Sequence, residues 1–276
     1  MPIRGVLFDV DDTLFDYTHS EETGILAHLR DLGLLARFPT PQAALALWRG
    51  VMEHQYARYL AREVTFRGQQ LERTRQFLAH LGQDGAEHLT DEQAADWFAG
   101  YAAHRDAAWT AFPDAEPALR RLAPHYRLGI VSNSDTDHQL RKLRAIGLLE
   151  HLGDVIVCSD QHGEAKPAPG IFHAACTALG LPPHEVAYVG DNYALDAEGA
   201  HAAGLQAFWL DRAATPTPAA EGIHVIHTLH ALAQALATPA PAAPENEPPP
   251  RPRDHPAAPT SADEPDRPLH GTPAPR

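Results

Sequence analysis

The sequence predicts an α/β protein in which a parallel sheet with crossover helices carries one helical insertion. Short apolar segments recur along the chain with helical patterns between them, which is typical of parallel strands joined by crossover helices. The alternation of strand and helix patterns is interrupted once, over roughly residues 17 to 109, where only helical patterns occur. Hydrophobic residues make up 44% of the 276 residues, which is enough for one large domain or two modest ones.

Five segments are predicted to form the strands of the sheet: residues 3–9, 128–132, 154–158, 186–190 and 206–210. The helix after the second strand presents Leu140, Leu143 and Ile146 on one face and stops at Gly147, which are ordinary features of a crossover helix. Lys142, in the same helix, is predicted to be a solvated surface charge.

The insertion is predicted to contain four helices, at about residues 20–35, 41–61, 68–82 and 90–108. It follows the carboxyl end of the first strand, so it lies over the edge where open α/β sheets bind ligands. The insertion can therefore act as a lid. We expect its small core to be formed by Trp48, Trp97 and Trp109.

The composition changes after Thr238. Thirteen of the 39 residues in 238–276 are proline, against twelve in the preceding 237, and such a segment cannot bury enough apolar surface to order itself. We therefore predict a catalytic core at 1–16 and 110–237, a helical cap domain at 17–109, and a disordered tail at 238–276.

The charge balance and the apolar pattern limit the possible partners. Twenty-two basic against thirty-six acidic residues give a net charge of −14, which argues against nucleic acid or an anionic membrane as the main partner. No run of about 18 apolar residues occurs, and the first residues run straight into a strand, so neither a membrane span nor a secretory signal is expected. A cytoplasmic protein is the expectation.

The cysteines and histidines do not form a recognisable metal motif. Cys158 and Cys176 are predicted to be buried thiols. His224, His227 and His230 lie in a short apolar run that resembles a helix, and we expect them to be scattered surface and core residues.

The segment from Phe8 to Leu14 carries the most informative chemistry. Residues i and i+2 of an extended chain point the same way about 7 Å apart, so Asp9 and Asp11 leave the end of the first strand toward one space. A solvated acidic turn that caps a helix would have the same residue types. The other strand ends favour a functional site instead.

Polar side chains follow three further predicted strands. The second strand ends in Ser132 and Asn133, a hydroxyl and an amide that suit an anionic oxygen at a helix start. Lys166 follows the third strand and is one of only two lysines beside twenty arginines. The fourth strand ends at Asp191, and Asp196 follows five residues later.

Together these residues predict a phosphate-ester site with a bound cation. Mg²⁺ prefers oxygen ligands and usually takes few carboxylates together with waters and substrate phosphate. Asp9 and Asp191, with the main-chain carbonyl of Asp11, match that preference, and Lys166 would hold an anion. The expected partner is a small phosphorylated metabolite.

These motifs strongly resemble those of the haloacid dehalogenase superfamily. The matching motifs are, in order, Asp9-x-Asp11-x-Thr13-Leu14, Ser132-Asn133, Lys166-Pro167 and Gly190-Asp191-x-x-x-x-Asp196. The resemblance implies a Rossmann-like core, a helical cap inserted after the first motif, and Mg²⁺-dependent phosphomonoester hydrolysis through an aspartyl-phosphate. Asp12 stands where many members have glycine.

The resemblance also implies roles for individual residues. Asp9 would be the nucleophile, and Asp11 would protonate the leaving oxygen and then serve as the base for water. The remaining roles are phosphoryl binding by Ser132, Asn133 and Lys166, metal binding by Asp9, Asp11 and Asp191, and support by Thr13 and by Asp196, which either ligates the metal or orients Lys166.

Several alternatives stay open within the superfamily. A haloacid dehalogenase needs no acid for a halide, yet Asp11 is present. A Schiff-base phosphonate hydrolase needs a cap lysine, and residues 17–109 contain none. A sugar-phosphate mutase and a non-catalytic binding member remain, as do a monomer and a homodimer.

Substrate specificity is expected to come from the cap. Its densest polar cluster is Arg67-Gly68-Gln69-Gln70 with Arg73 and Arg75. We predict that Arg67, before a helix start, reaches the substrate, the alternative being that the cluster forms a solvated basic face.

Overall fold

The protein is built around one parallel sheet, as seen in a computed structural model that describes residues 2–82, 85–216 and 218–237. Within those residues the strands are β1 (Gly5–Phe8), β2 (Arg127–Ser132), β3 (Val155–Cys158), β4 (Val186–Gly190), β5 (Gln206–Leu210) and β6 (Ile223–Ile226). Their order is β3-β2-β1-β4-β5-β6, with every neighbouring pair parallel. The tail predicted at 238–276 lies outside the described residues.

Ten α-helices accompany the sheet in the described part of the chain: α1 (Tyr17–Asp31), α2 (Pro41–Leu60), α3 (Phe66–His80), α4 (Asp91–Ala107), α5 (Ala115–Leu122), α6 (Thr136–Ala145), α7 (Ser159–His162), α8 (Pro169–Leu179), α9 (Gly199–Ala202) and α10 (Leu229–Ala237). A π-helical turn, Tyr193–Glu198, precedes α9. Helices α1 to α4 follow β1 and precede β2, and we call them the helical insertion. None of the described helices is long and apolar enough to cross a membrane.

The starts of the insertion helices are set by local sequence. Each begins after a polar residue whose side chain accepts a hydrogen bond from an amide of the first turn: Asp16, Thr40, Thr65 and Thr90. These bonds satisfy backbone donors that a helix start leaves unpaired. The predicted helices therefore match the observed ones to within a few residues.

The sheet is buried on both faces, as parallel sheets are. Val6 and Phe8 of β1 pack into a cluster that includes residues of α5 and α10, whereas Leu7 packs into a second cluster with α8. Alternate residues of a strand thus serve opposite faces. The two clusters fix β1 in the middle of the sheet, from which Asp9 emerges.

The insertion has its own apolar core, which includes Trp48, Phe77 and Tyr101, with Trp97 packed against it. Trp109 does not belong to this core, so that part of the tryptophan prediction is wrong. It packs against the sheet cluster and meets Phe15 edge-to-face at 6.2 Å.

The sheet contains a sixth strand that the sequence pattern did not predict. Residues His224 and Val225 of β6 are exposed while Ile223 and Ile226 are buried, so the strand lacks the alternation that identifies a half-buried strand. The helix-like interpretation of this run was wrong at His224, because pairing with β5 decides the conformation. His230 does lie in a helix, α10.

Candidate active site

Three carboxylates meet at the carboxyl ends of two neighbouring strands. Asp9 follows β1, Asp191 follows β4, and Asp196 lies in the π-helical turn after it. One oxygen from each of the three lies within 4.8 Å of the others. Asp9 and Asp196 are 7% and 1% exposed. The parallel pairing of β1 with β4 brings these residues together, because both strands end at the same edge.

Lys166 lies among these carboxylates and uses all three of its donors. Its Nζ donates to Asp9 Oδ1 at 2.6 Å, to Asp196 Oδ1 at 2.6 Å and to the Tyr188 hydroxyl at 3.0 Å. Burial alone would lower the pKa of this lysine, but the two carboxylates outweigh burial and raise it. Lys166 is therefore a fixed positive charge. We call Asp9, Lys166, Asp191 and Asp196 the strand-end cluster.

The crowding of acids makes the cluster a suitable place for a cation. Burial raises the pKa of Asp9 well above its usual value, although Lys166 opposes the shift. Burial and the charge of Asp196 raise the pKa of Asp191 to about 7. A hard divalent cation would stabilise both ionised carboxylates. The oxygen donors of Asp9 and Asp191 thus fit Mg²⁺.

Asp196 is held beside Lys166 by hydrogen bonds to both of its oxygens. Its Oδ1 accepts from Lys166 and, at 2.8 Å, from the Tyr188 hydroxyl. Its Oδ2 accepts from the backbone amide of Asn192 at 3.0 Å. Both oxygens therefore already have donors, and the side chain is held in one position.

The loop after β1 is held by side chains as well as by the backbone. Asp12 has a φ of 55°, a left-handed conformation that explains why a glycine can stand at this position. Its carboxylate accepts from the amide and the hydroxyl of Thr18 at 2.9 and 2.8 Å. The buried Thr13 hydroxyl accepts from the amide of Asp191 at 3.1 Å, which ties the loop to the end of β4.

Ser132 and Asn133 lie at the end of β2, but their side chains have different partners. The Ser132 hydroxyl accepts from Gln139 Nε2 at 3.0 Å, which leaves its own hydrogen to donate. The Asn133 side chain is bonded twice to the backbone of Lys166, donating at 2.9 Å and accepting at 2.6 Å. The Asn133 side chain thus positions the Lys166 loop, and the phosphate contact predicted for it stays a prediction.

Lys142 is not the solvated surface charge that the sequence predicts. It is 2% exposed, forms an ion pair with Asp11 Oδ1, and lies 4.5 Å from the centre of the Phe15 ring. Gln139, one turn earlier in α6, donates to Asp11 Oδ2 at 2.8 Å. The two side chains together fix the Asp11 carboxylate.

One sequence signal could have identified Lys142. It is the other of the two lysines in the chain, and the scarcity argument that selected Lys166 applies equally to it. Gln139 carries no such signal. Its role depends on how α6 packs beside the loop after β1.

A cavity of about 180 Å³ lies between the helical insertion and the strand ends. We call it the insertion pocket. Each of α1 to α4 contributes to its lining, and Asp11, Ser134, His138 and Lys142 line it from the sheet side. Its insertion-side residues include the rings of Tyr17, Tyr56, Phe66 and Phe98.

The predicted specificity residue Arg67 does not line this pocket. Arg67 is exposed, whereas Gln69, Gln70 and Arg73 of the same polar cluster belong to the lining. The reason is helical geometry, since residues six apart in a helix lie on different faces. The structure therefore places Arg73, and not Arg67, next to the pocket.

Comparison with known proteins identifies relatives of this chain. A family model described as haloacid dehalogenase-like hydrolase matches residues 3–204. The phosphoserine phosphatase of Thermus thermophilus is 33% identical over 185 residues, which are 66% of this chain and 64% of that protein. The glyceraldehyde 3-phosphate phosphatase of Methanopyrus kandleri is 31% identical over 206 residues, 74% of this chain and 82% of that protein.

Solved structures share the fold. The putative hydrolase YfnB of Bacillus subtilis, solved with magnesium, matches with a TM-score of 0.71 at 21% identity, over 86% of this chain and 99% of that one. Solved 2-haloacid dehalogenases also match. Both the sheet and the helical insertion fall within a known architecture.

Proposed function

The chain belongs to the haloacid dehalogenase-like hydrolases, and on that premise we propose that it is a Mg²⁺-dependent phosphatase acting on a small phosphomonoester. The observation that carries the proposal is the strand-end cluster, in which Lys166 Nζ lies 2.6 Å from the nucleophile candidate Asp9. A buried carboxylate beside a fixed cation is suited to in-line attack on an anionic phosphoryl group.

Asp9 supplies the nucleophile in this mechanism. Its Oδ1 is held by Lys166, and the other oxygen attacks phosphorus. The bond between phosphorus and the leaving oxygen breaks, and Asp11 gives that oxygen the proton that it took from water in the preceding cycle. The product of this step is an aspartyl-phosphate, which divides a difficult displacement into two easier ones.

Asp11 then acts as the base in the second step. A water molecule gives its proton to Asp11 and attacks phosphorus, which releases inorganic phosphate and restores Asp9. Lys142 and Gln139 hold the Asp11 carboxylate in one orientation, so the same group serves both steps.

Other residues of the site bind the phosphoryl oxygens. The charge of Lys166 stabilises the phosphoryl oxygens, the Ser132 hydroxyl donates to one of them, and Asn133 supports Lys166 through its backbone. Mg²⁺, held by Asp9 and Asp191 with the main-chain carbonyl of Asp11, would neutralise phosphoryl charge during attack. Asp196 and Thr13 support these residues.

The leaving group enters the insertion pocket, since Asp11 belongs to its lining. The helical insertion is then a cap over the reacting groups. The relatives are named for small phosphorylated metabolites, phosphoserine and glyceraldehyde 3-phosphate, and we assign that general class to this chain.

Dehalogenation is the second candidate, because solved dehalogenases share the fold. The orientation of Asp11 by two buried donors favours the phosphatase, since a halide leaves without a proton and needs no such group. A mutase differs from a phosphatase only in the acceptor of the phosphoryl group.

The test is a panel of phosphorylated metabolites and 2-haloacids, incubated with the full chain in Mg²⁺ or in excess chelator. We expect inorganic phosphate from at least one phosphomonoester in Mg²⁺ only. Halide release without phosphate release would establish dehalogenation. Isomerised sugar phosphate without free phosphate would establish a mutase, and equal turnover in chelator would exclude the metal.

A further inference from the structure

We propose that the leaving group carries a carboxylate and that Arg73 binds it in the insertion pocket. This inference rests on the proposed function, and it adds the chemical class of the substrate: a phosphorylated organic acid. It is drawn from the hydrogen bonding of one buried guanidinium.

Arg73 is buried but incompletely hydrogen-bonded. It is 4% exposed and lines the pocket. Its Nη2 donates to Gln69 Oε1 at 2.9 Å. Its Nη1 forms a buried ion pair with Glu21 Oε2 at 3.8 Å, a distance too long for a hydrogen bond, and its Nε has no hydrogen-bond partner among the described residues. A buried guanidinium in this state gains from an anion.

Glu21 forms the ion pair with Arg73, but its oxygens accept their hydrogen bonds from other donors. Glu21 accepts from the Trp48 indole at 3.1 Å and from the Tyr101 hydroxyl. Asp11 is paired with Lys142. Glu53, the third acid of the lining, is exposed. An anionic ligand can therefore reach Arg73 without displacing a native hydrogen bond of these carboxylates.

The charged side chains that act on His138, in the lining of the pocket, are cationic. Burial, followed by the charges of Lys142, Arg105, Arg141 and Arg73, lowers the pKa of His138 to about 2. His138 is thus held neutral in a part of the pocket that disfavours further positive charge.

The shape of the site favours a carboxylate over a second phosphate. The guanidinium of Arg73 lies over the rings of Trp48 and Phe98, at 5.3 and 5.7 Å, so it is held as a planar donor that suits a planar carboxylate. A cavity of about 180 Å³ with aromatic walls also suits the smaller and less strongly hydrated anion.

The experiment compares three substrates with one carbon skeleton: 3-phosphoglycerate, glycerol 3-phosphate and glycerol 1,3-bisphosphate. Turnover is measured with Mg²⁺ for the wild type, Arg73→Met, Arg73→Lys and two matched controls. Arg67→Met tests the exposed arginine of the same helix, and Arg30→Met alters an exposed arginine of α1. Calorimetric binding of the same compounds to Asp9→Asn, with and without Arg73→Met, gives a readout independent of turnover.

We expect the wild type to prefer 3-phosphoglycerate over glycerol 3-phosphate by about tenfold or more in kcat/KM, as a charge-assisted bond predicts. Arg73→Met should remove that preference, Arg73→Lys should retain part of it, and both controls should keep it. Arg73→Lys serves as the test if the methionine variant does not fold.

Equal use of the three compounds, or a loss in Arg73→Met that is the same for all, would overturn the inference. A preference for the bisphosphate that depends on Arg73 would replace the carboxylate with a phosphate, and a preference that depends on Arg67 would move the site. If no compound is hydrolysed but the calorimetric preference survives, the proposed function fails and the carboxylate site stands.

Discussion

The strand-end cluster and the insertion pocket lie side by side but are built in different ways. In the cluster, Lys166 and Asp196 have acceptors or donors for all of their polar atoms. In the pocket, the Nε of Arg73 has no hydrogen-bond partner among the described residues. We infer that the cluster is preorganised for a group common to all substrates, whereas the pocket is completed by one particular substrate.

Asp11 and Lys142 connect the two regions. Asp11 projects from the loop after β1, and both residues line the insertion pocket. On the proposed function, their ion pair lies where the transferring group ends and the leaving group begins. Substitutions on the two sides of this pair should have different kinetic signatures.

The largest effect is expected at the cluster. Asp9→Asn should lower turnover of every substrate by about a thousandfold or more, because it removes the nucleophile. The measurement is phosphate release across the substrate panel, with circular dichroism to verify folding. Substantial activity in a folded variant would contradict the covalent mechanism and would make the cluster only a binding site.

A smaller effect is expected at the ion pair of Asp11 and Lys142. Lys142→Met should lower kcat by about tenfold to a hundredfold, because the Asp11 carboxylate loses the donor that orients it. The melting temperature should hold or rise, because a buried ion pair replaced by apolar packing is often neutral or stabilising.

Arg144→Met is the matched control for Lys142→Met, since Arg144 lies in the same helix and is exposed. It should leave kcat and KM unchanged. If Lys142→Met kept full kcat and changed KM only, Lys142 would belong to substrate recognition in the pocket and would have no part in orienting Asp11.

The smallest effect concerns metal binding and pH. The pKa of Asp191 is raised to about 7, so at lower pH the carboxyl is protonated and Mg²⁺ must displace that proton. Affinity should therefore rise by about tenfold between about pH 6 and about pH 8, as measured by titration calorimetry. Asp191→Asn should weaken binding and flatten this dependence; a pH-independent affinity of the wild type would remove Asp191 from the metal site.

The sequence predicted the cluster well because β-sheet geometry is regular. Asp9 and Asp191 each follow an apolar strand, and parallel strands end at one edge whatever the intervening chain does. Local patterns were therefore enough to place these residues together. The sixth strand was not predicted, because its conformation depends on its pairing with β5 and its own pattern is ambiguous.

The residues that line the insertion pocket were predicted poorly, because their positions depend on helix packing, which is less regular than a sheet. Arg67 and Arg73 belong to one polar cluster in the sequence, and their difference depends on the rotation of α3 against α1, α2 and α4. Lys142 likewise changes from a surface charge to a buried partner of Asp11 because of how α6 packs. Helix rotation and packing involve contacts distant in sequence, which periodicity alone does not specify.

By itself, the sequence determined the parallel α/β class, the helical insertion and the residues at the strand ends, because local periodicity and strand direction fix these. Only the tertiary structure decided which arginine lines the pocket, that Asn133 supports the Lys166 loop, and that Lys142 and Gln139 hold Asp11. The physical reason is that burial and hydrogen bonding of a long polar side chain depend on the neighbours that packing provides, and those neighbours come from elements far apart along the chain.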